Sequence, residues 1–222
     1  MKKIIAFLFA AALAFSASAE MTNYAGFGWR IPTSATVESK NRTEKADVKF
    51  KTQTGLSFDY AGTFESGFSM RGIIDLNYSG SDLKVGFDGG DEMMGINFML
   101  LAGVGYAPVR TEKMFLGLYG VVGVDVTTLM YEESRTSYLY KDKYEVTLTH
   151  SAPVIGANAT FIYTPAKSFS LFASVCANLM LPTEFKIEST IEEDGEKFKL
   201  DDKIDCIAAF KFVPTIGICW KF

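Results

Sequence analysis

Any chemistry that needs an imidazole rests on one residue, because the 222-residue chain contains a single histidine, His150. Ser151 follows it, and a hydrolytic site would need both residues and an acid on one side of the chain. The surrounding pattern is extended, and neighbours along a strand point to opposite faces, so the pair is badly placed. His150 is read as a polar residue at the exposed rim, and no enzymatic activity is expected. Three cysteines, Cys176, Cys206 and Cys219, are odd in number and widely spaced, with no CxxC pair. That argues against a metal centre or a redox motif and suggests small apolar or lumen-facing fillers. No cofactor is expected. What remains is charge. Arg30, Lys49, Lys51, Asp59, Arg71, Asp75, Asp125 and Lys211 recur on the polar side of alternating stretches. Opposite charges confined to a narrow interior must pair, since an unpaired buried charge is strongly unfavourable.

The elements that would hold those charges start after a targeting segment. Lys2 and Lys3 precede an apolar run from Ile4 to Phe15, and Ala17-Ser18-Ala19 gives a small-x-small pattern before Glu20. This reads as a signal peptide over residues 1–19, cut between Ala19 and Glu20, with the mature domain over 20–222. The run is too short to cross a bilayer as a helix, which needs about 20 residues. The formal charge is −4, and −6 without Lys2 and Lys3. Such an acidic chain offers no basic face for nucleic acid and no polybasic lipid-binding tail.

Beyond the targeting segment, alternation dominates. Val48, Phe50, Leu56, Phe58 and Tyr60 share one face of an extended stretch, while Lys49, Lys51, Gln53, Ser57 and Asp59 share the other. Phe68, Met70, Ile74, Leu76 and Tyr78 likewise oppose Ser69, Arg71, Asp75, Asn77 and Ser79. Eight such stretches can be placed, the last ending Phe210, Phe212, Ile216, Ile218, Trp220, Phe222 against Lys211, Thr215 and Gly217. The connections between them alternate in length. Polar, charged ones span residues 33–47, 80–92, 130–144 and 182–203; short ones lie at 61–63, 107–112 and 164–168. Long external loops and short periplasmic turns are the pattern of barrels in the outer membrane. Lipid cannot satisfy backbone N–H and C=O groups, so strands cross it only in a closed sheet. The expected fold is therefore all-β, an eight-stranded antiparallel up-and-down transmembrane β-barrel, with strands projecting beyond the membrane on the external side. Aromatics beside the short turns, among them Tyr60, Tyr106, Phe161, Tyr163 and Phe169, would form a periplasmic girdle. The competing fold is a soluble lipocalin-like barrel, with apolar residues inside.

The last residues, with Thr215, Gly217, Trp220 and Phe222 in place, resemble the C-terminal assembly signal of outer-membrane proteins. The resemblance implies recognition by the barrel assembly machinery. Over about residues 22–222 the organisation is similar to the small eight-stranded class that includes the OmpA membrane domain, OmpX and OmpW. That implies the bacterial outer membrane as the location, with its lipid, lipopolysaccharide included, as the surroundings.

Two functions follow as expectations. Eight strands leave an interior that side chains just fill, so a plugged, salt-bridged lumen is the first, with a structural or surface-interaction role and a possible external ligand on the long loops. The alternative is a narrow pore or transporter for small solutes. Ile73, Met99, Leu101, Phe172 and Met180 are apolar guests on the inward side and could line a pocket for a hydrophobic one, as the OmpW-like comparison suggests.

Overall fold

A computed structural model describes residues 21–40, 45–85, 91–136, 141–193 and 196–222, with side chains described outside 35–52, 82–91, 135–142, 193–195, 204 and 206–208. Ala17, Ala19 and Glu20 of the targeting segment, and the side chains of Lys49 and Lys51, lie outside the described residues.

The described chain is all strand and turn. Its strands are β1 (Met21–Lys40), β2 (Lys45–Phe64), β3 (Phe68–Val85), β4 (Asp91–Arg110), β5 (Met114–Thr136), β6 (Lys141–Tyr163), β7 (Phe169–Met180), β8 (Thr183–Glu193) and β9 (Glu196–Lys221). All pairings are antiparallel between neighbours, and β9 returns to β1 from Tyr24–Lys221 upward, which closes the ring. Backbone bonds in both directions between Asn23 and Phe222, each 3.0 Å, seal the join at its end.

Nine segments form eight staves. β7 and β8 are two pieces of one stave, broken at Leu181–Pro182, and both lie between β6 and β9. Proline has no N–H to give to a ladder and is tolerated at such irregularities. Five residues of β6, from His150 to Val154, face six on the broken stave, from Met180 to Phe185. β9 carries an extra residue too, between Cys206 and Ala209 as counted against β1. The two staves stay in step with each other but swap inward for outward above the break.

The long connections are mostly strand. β1 with β2, β3 with β4 and β5 with β6 run through the segments that the sequence pattern assigns to polar loops, and the fourth such segment holds β8 and the upper part of β9. At the other end the turns are short: residues 65–67, 111–113 and 164–168. Gly67 sits at φ 90°, a conformation that disfavours any side chain.

The outside is apolar and the inside is not. Leu76 is 56% exposed while its neighbour Asp75 is 1% exposed, and the same alternation runs through Phe27, Trp29, Phe58, Ile96, Val122, Phe161 and Ile216, which all face outward. A continuous belt of this kind needs hydrocarbon to cover it. The inverted, lipocalin-like arrangement does not occur.

Candidate functional site: the barrel lumen

The pleat fixes what enters the lumen. Along β3 the inward residues from the short-turn end are Ser69, Arg71, Ile73, Asp75, Asn77 and Ser79, every second position, all buried. Six of the eight charged residues expected inside, Arg30, Asp59, Arg71, Asp75, Asp125 and Lys211, are buried there, at no more than 4% exposure.

They form three ion pairs that balance in charge. Nearest the short turns Arg71 pairs with Asp59, whose carboxylate also accepts from Ser57 Oγ at 2.6 Å, and Arg71 Nη1 donates to the Tyr60 carbonyl at 3.3 Å. Arg30 faces Asp75 with Nη1 3.5 Å from Oδ2, a charge contact without hydrogen-bond geometry. Lys211 Nζ reaches Asp125 Oδ2 at 2.6 Å. Asn97 ties this last pair into the wall. Its Nδ2 donates to Asp125 Oδ1 at 2.5 Å and to Thr127 Oγ1 at 2.9 Å, and its Oδ1 accepts from Lys211 at 3.3 Å and from Asn77 at 3.1 Å. Such a pair remains charged in a low-dielectric interior only because its partners and dipoles surround it.

The expected apolar guests do enter the lumen. Ile73, Met99, Leu101, Phe172 and Met180 are all buried. They fill space between the polar groups instead of framing an open pocket, with Asn178 Nδ2 3.5 Å from Met99 Sδ. Cys176 and Cys219 are buried free thiols, and Asn158 donates to Cys176 Sγ at 3.0 Å. Polar pairs finish the short-turn end: Ser69 with Tyr119 at 3.0 Å and Thr164 with Ser170 at 2.8 Å.

His150 is not at an exposed rim. It is fully buried and stacks on Phe185, with ring centroids 4.4 Å apart, and its Nε2 lies 3.0 Å from Thr183 Oγ1. Thr183 and Phe185 belong to β8, and they point inward only because of the one-residue shift at Leu181–Pro182. Ser151 is on the outer face. Phe185, Met93, Leu129, Leu148 and Met180 thus make an apolar cap above the charged layers. The sequence pattern missed this cap: alternation continued from β7 turns Phe185 outward, and only the Pro182 signal hinted otherwise.

Above the cap, the outer face of the staves carries exposed charge. Lys143 reaches Glu132 at 3.0 Å and also contacts Glu145. Those contacts, with Glu145 first, push the Lys143 ammonium up to about 12, and Lys143 holds the Glu145 carboxyl below its usual range.

Of the C-terminal residues that resemble an assembly signal, Thr215 is buried in the lumen, Trp220 and Phe222 face outward, and Gly217 pairs with Gly28 across the closing seam.

No family model matches the chain, and no curated protein matches it by sequence. Solved structures do. The outer-membrane protein OprG from Pseudomonas aeruginosa aligns over 91% of this chain and 95% of its own, at 16% identity and a TM-score of 0.55. A major outer-membrane protein from Thermus thermophilus aligns over 90% and 99%, at 12% identity and a TM-score of 0.59. With its outward apolar belt and closed ring, the chain has the fold of the small eight-stranded outer-membrane β-barrels.

Proposed function

We propose that the protein is an integral outer-membrane barrel with a sealed lumen, whose working surface is the part that stands outside the membrane. The observation that carries this reading is the stack inside the ring. Three balanced ion pairs are packed among apolar side chains, and the His150–Phe185 cap closes the external end. Moving a hydrated ion past Lys211–Asp125 would require breaking a buried pair, which costs about 3–5 kcal/mol when one partner is lost. The barrel in this reading is a rigid support. Lipid, lipopolysaccharide included, covers the belt, and the Thr215, Gly217, Trp220, Phe222 run serves the assembly machinery. His150 has a packing role here, not a catalytic one.

Planar-bilayer recording tests the proposal. The purified barrel is expected to be electrically silent, and a regular conductance step from the unmodified protein would overturn it. A second reading keeps one observation in its favour. Leu148, Phe185 and Ile187 give the external end of the lumen an apolar wall, which suits passage of a small hydrophobic solute. Uptake of such a solute into liposomes by a silent barrel would favour that reading.

A further inference from the structure

One histidine serves the whole chain, and it is the side chain whose ordinary titration falls between pH 5 and 8. The fold places it at the end of a ladder. β6 and β8 pair from Lys143–Glu192 down to His150–Phe185, and there their pairing stops. β6 resumes pairing at Val154–Met180, with β7. Between those rungs the Leu181 N–H donates to the Pro153 carbonyl at 2.9 Å, and Pro153 and Pro182 have no N–H to give. Ladder ends are where a sheet opens first. On the outer face of β8, Glu184, Lys186 and Glu188 are all exposed, which puts this part of the wall in water above the lipid-covered belt.

The surroundings of His150 suit a neutral ring. It lies opposite Thr127 on β5 and Phe185 on β8, and the inward residues of β8 beside it are Thr183, Phe185 and Ile187, none of them charged. On β4 the inward residue at this level is Asn97. Among the described residues, the charged groups that act on His150 from below are Asp125 on β5 and Lys211 on β9. Asp125 is already engaged at both oxygens, by Lys211 and by Asn97. Arg30 and Asp75 face each other deeper in the lumen. Above the ring, on the inward face and toward external water, stand Asp202 on β9, opposite Ile187, and Glu133 on β5, opposite Tyr144.

Resting on the reading of the His150–Phe185 contact as the external seal, we propose that this seal responds to acid: neutral His150 keeps the last β6–β8 rung shut, and protonation of His150 parts that rung and opens the external end of the lumen to water. The three ion pairs below leave the lumen balanced, so an imidazolium would be a fourth cation against three acids. A phenyl face and one hydroxyl compensate a buried cation far less than water does. The carboxylates that could answer it, Asp202 and Glu133, lie outward, in the direction of opening. The sign follows from linkage. The open form takes up a proton near the ordinary imidazole value and the sealed form resists it, so opening is favoured as pH falls and sealing as pH rises.

The test uses the full barrel in lipid nanodiscs, with hydrogen exchange of residues 183–187 followed at about pH 7.5 and about pH 5, either side of the ordinary imidazole value. His150→Gln and His150→Leu cannot take up the proton, and heat-modifiable migration checks that each is folded. The β8 segment is identical in all three proteins, so its intrinsic exchange rates cancel in the comparison. From the higher pH to the lower, wild type is expected to gain at least about tenfold in β8 exchange over either variant. Histidine-labelled barrel gives one imidazole signal by NMR, which should lose its neutral-ring signature over the same range. Equal exchange in wild type and variants at the lower pH would overturn the proposal. So would an imidazole that stays neutral at about pH 5, or one that protonates while β8 exchange stays level. The failures are separable: a silent barrel whose β8 ignores acid loses only the switch, while a barrel that conducts at neutral pH and whose β8 follows His150 loses only the sealed lumen.

Discussion

Lys211 and Asp125 illustrate how a charge is kept inside this barrel. Each is 1% exposed, and each depends on the other and on Asn97 for compensation. Asp125→Ala would leave the ammonium buried without its counter-ion, and Asn97 would lose its main acceptor. The expected loss is about 3–5 kcal/mol, read as a lowered denaturant midpoint in detergent micelles. The double change Lys211→Met with Asp125→Leu removes both charges at similar volume and should recover most of that loss. If the single and double variants melt alike, the pair does not hold the lumen together. Arg30 predicts a different outcome. Its guanidinium nitrogens have no hydrogen-bond partner within the described protein and only a 3.5 Å contact to Asp75. The change Arg30→Met with Asp75→Leu should therefore be neutral or stabilising, where loss of the well-bonded Arg71–Asp59 pair should not.

Charge on the inward face was legible in the sequence because period-two alternation is a property of any strand, whatever its partners. Which acid meets which base was not legible. Asp59–Arg71 joins neighbouring β2 and β3, but Lys211–Asp125 joins β9 to β5 across the lumen, and that follows from ring diameter and tilt. Asn97 gave no sign of bridging, since an asparagine on an inward face looks the same whether or not it touches a pair.

At the scale of the strands, the closing seam depends on glycine. Gly28 and Gly217 are directly paired, and the Phe172 ring lies over them. A Cβ on Gly217 would fall 2.2 Å from the Phe27 carbonyl oxygen and 2.5 Å from Phe172 Cε1; one on Gly28 would meet Thr215 Cγ2 at 2.6 Å and Phe172 Cζ at 2.8 Å. Gly217→Val forces backbone apart at the join and should sharply reduce the folded, heat-modifiable band in membrane fractions. Gly28→Ala mainly presses on side chains, so an overpacking loss of about 1–3 kcal/mol is expected, relieved in part by Phe172→Leu. A Gly217→Val barrel of normal yield and mobility would show that the seam tolerates the contact. The same scale explains the missed cap. Strand pattern is readable until a residue is inserted, and the insertions at Leu181–Pro182 and before Ala209 invert the faces of everything beyond them.

The exposed contacts of Lys143 with Glu132 and Glu145 also have a pH signature. Glu145 titrates below its ordinary value, so its contribution is present above that value and is lost as pH falls through the lowered one. Lys143 is raised from 10.5 to about 12, so its contribution is complete below 10.5 and disappears as pH rises through about 12. Both groups are exposed and screened, so the effect is small. Limited proteolysis of the β5–β6 hairpin should be constant through the neutral range and faster only in strong acid or strong base. Faster cleavage on going from neutral to mildly acidic conditions would mean that another group governs the hairpin.

Considered as a whole, the molecule has two unlike ends joined by one lipid-matched belt, and the difference fixes its orientation. One end has three turns of a few residues each and the seam between Asn23 and Phe222. The other carries strands that run past the belt with charged outer faces, Glu132, Lys143, Glu188 and Lys197 among them. Barrels of the outer membrane carry short turns on the periplasmic side and longer segments on the external side. A cysteine introduced at Glu188 should therefore react with a membrane-impermeant maleimide on intact cells, while one at Lys113 should react only after the outer membrane is opened. Cys176 and Cys219 are buried, and the third native thiol, Cys206, is replaced by serine in both labelling variants. Labelling of Lys113→Cys on intact cells, with Glu188→Cys protected, would invert the orientation and move the exposed Lys143, Glu132 and Glu145 ladder to the periplasmic side.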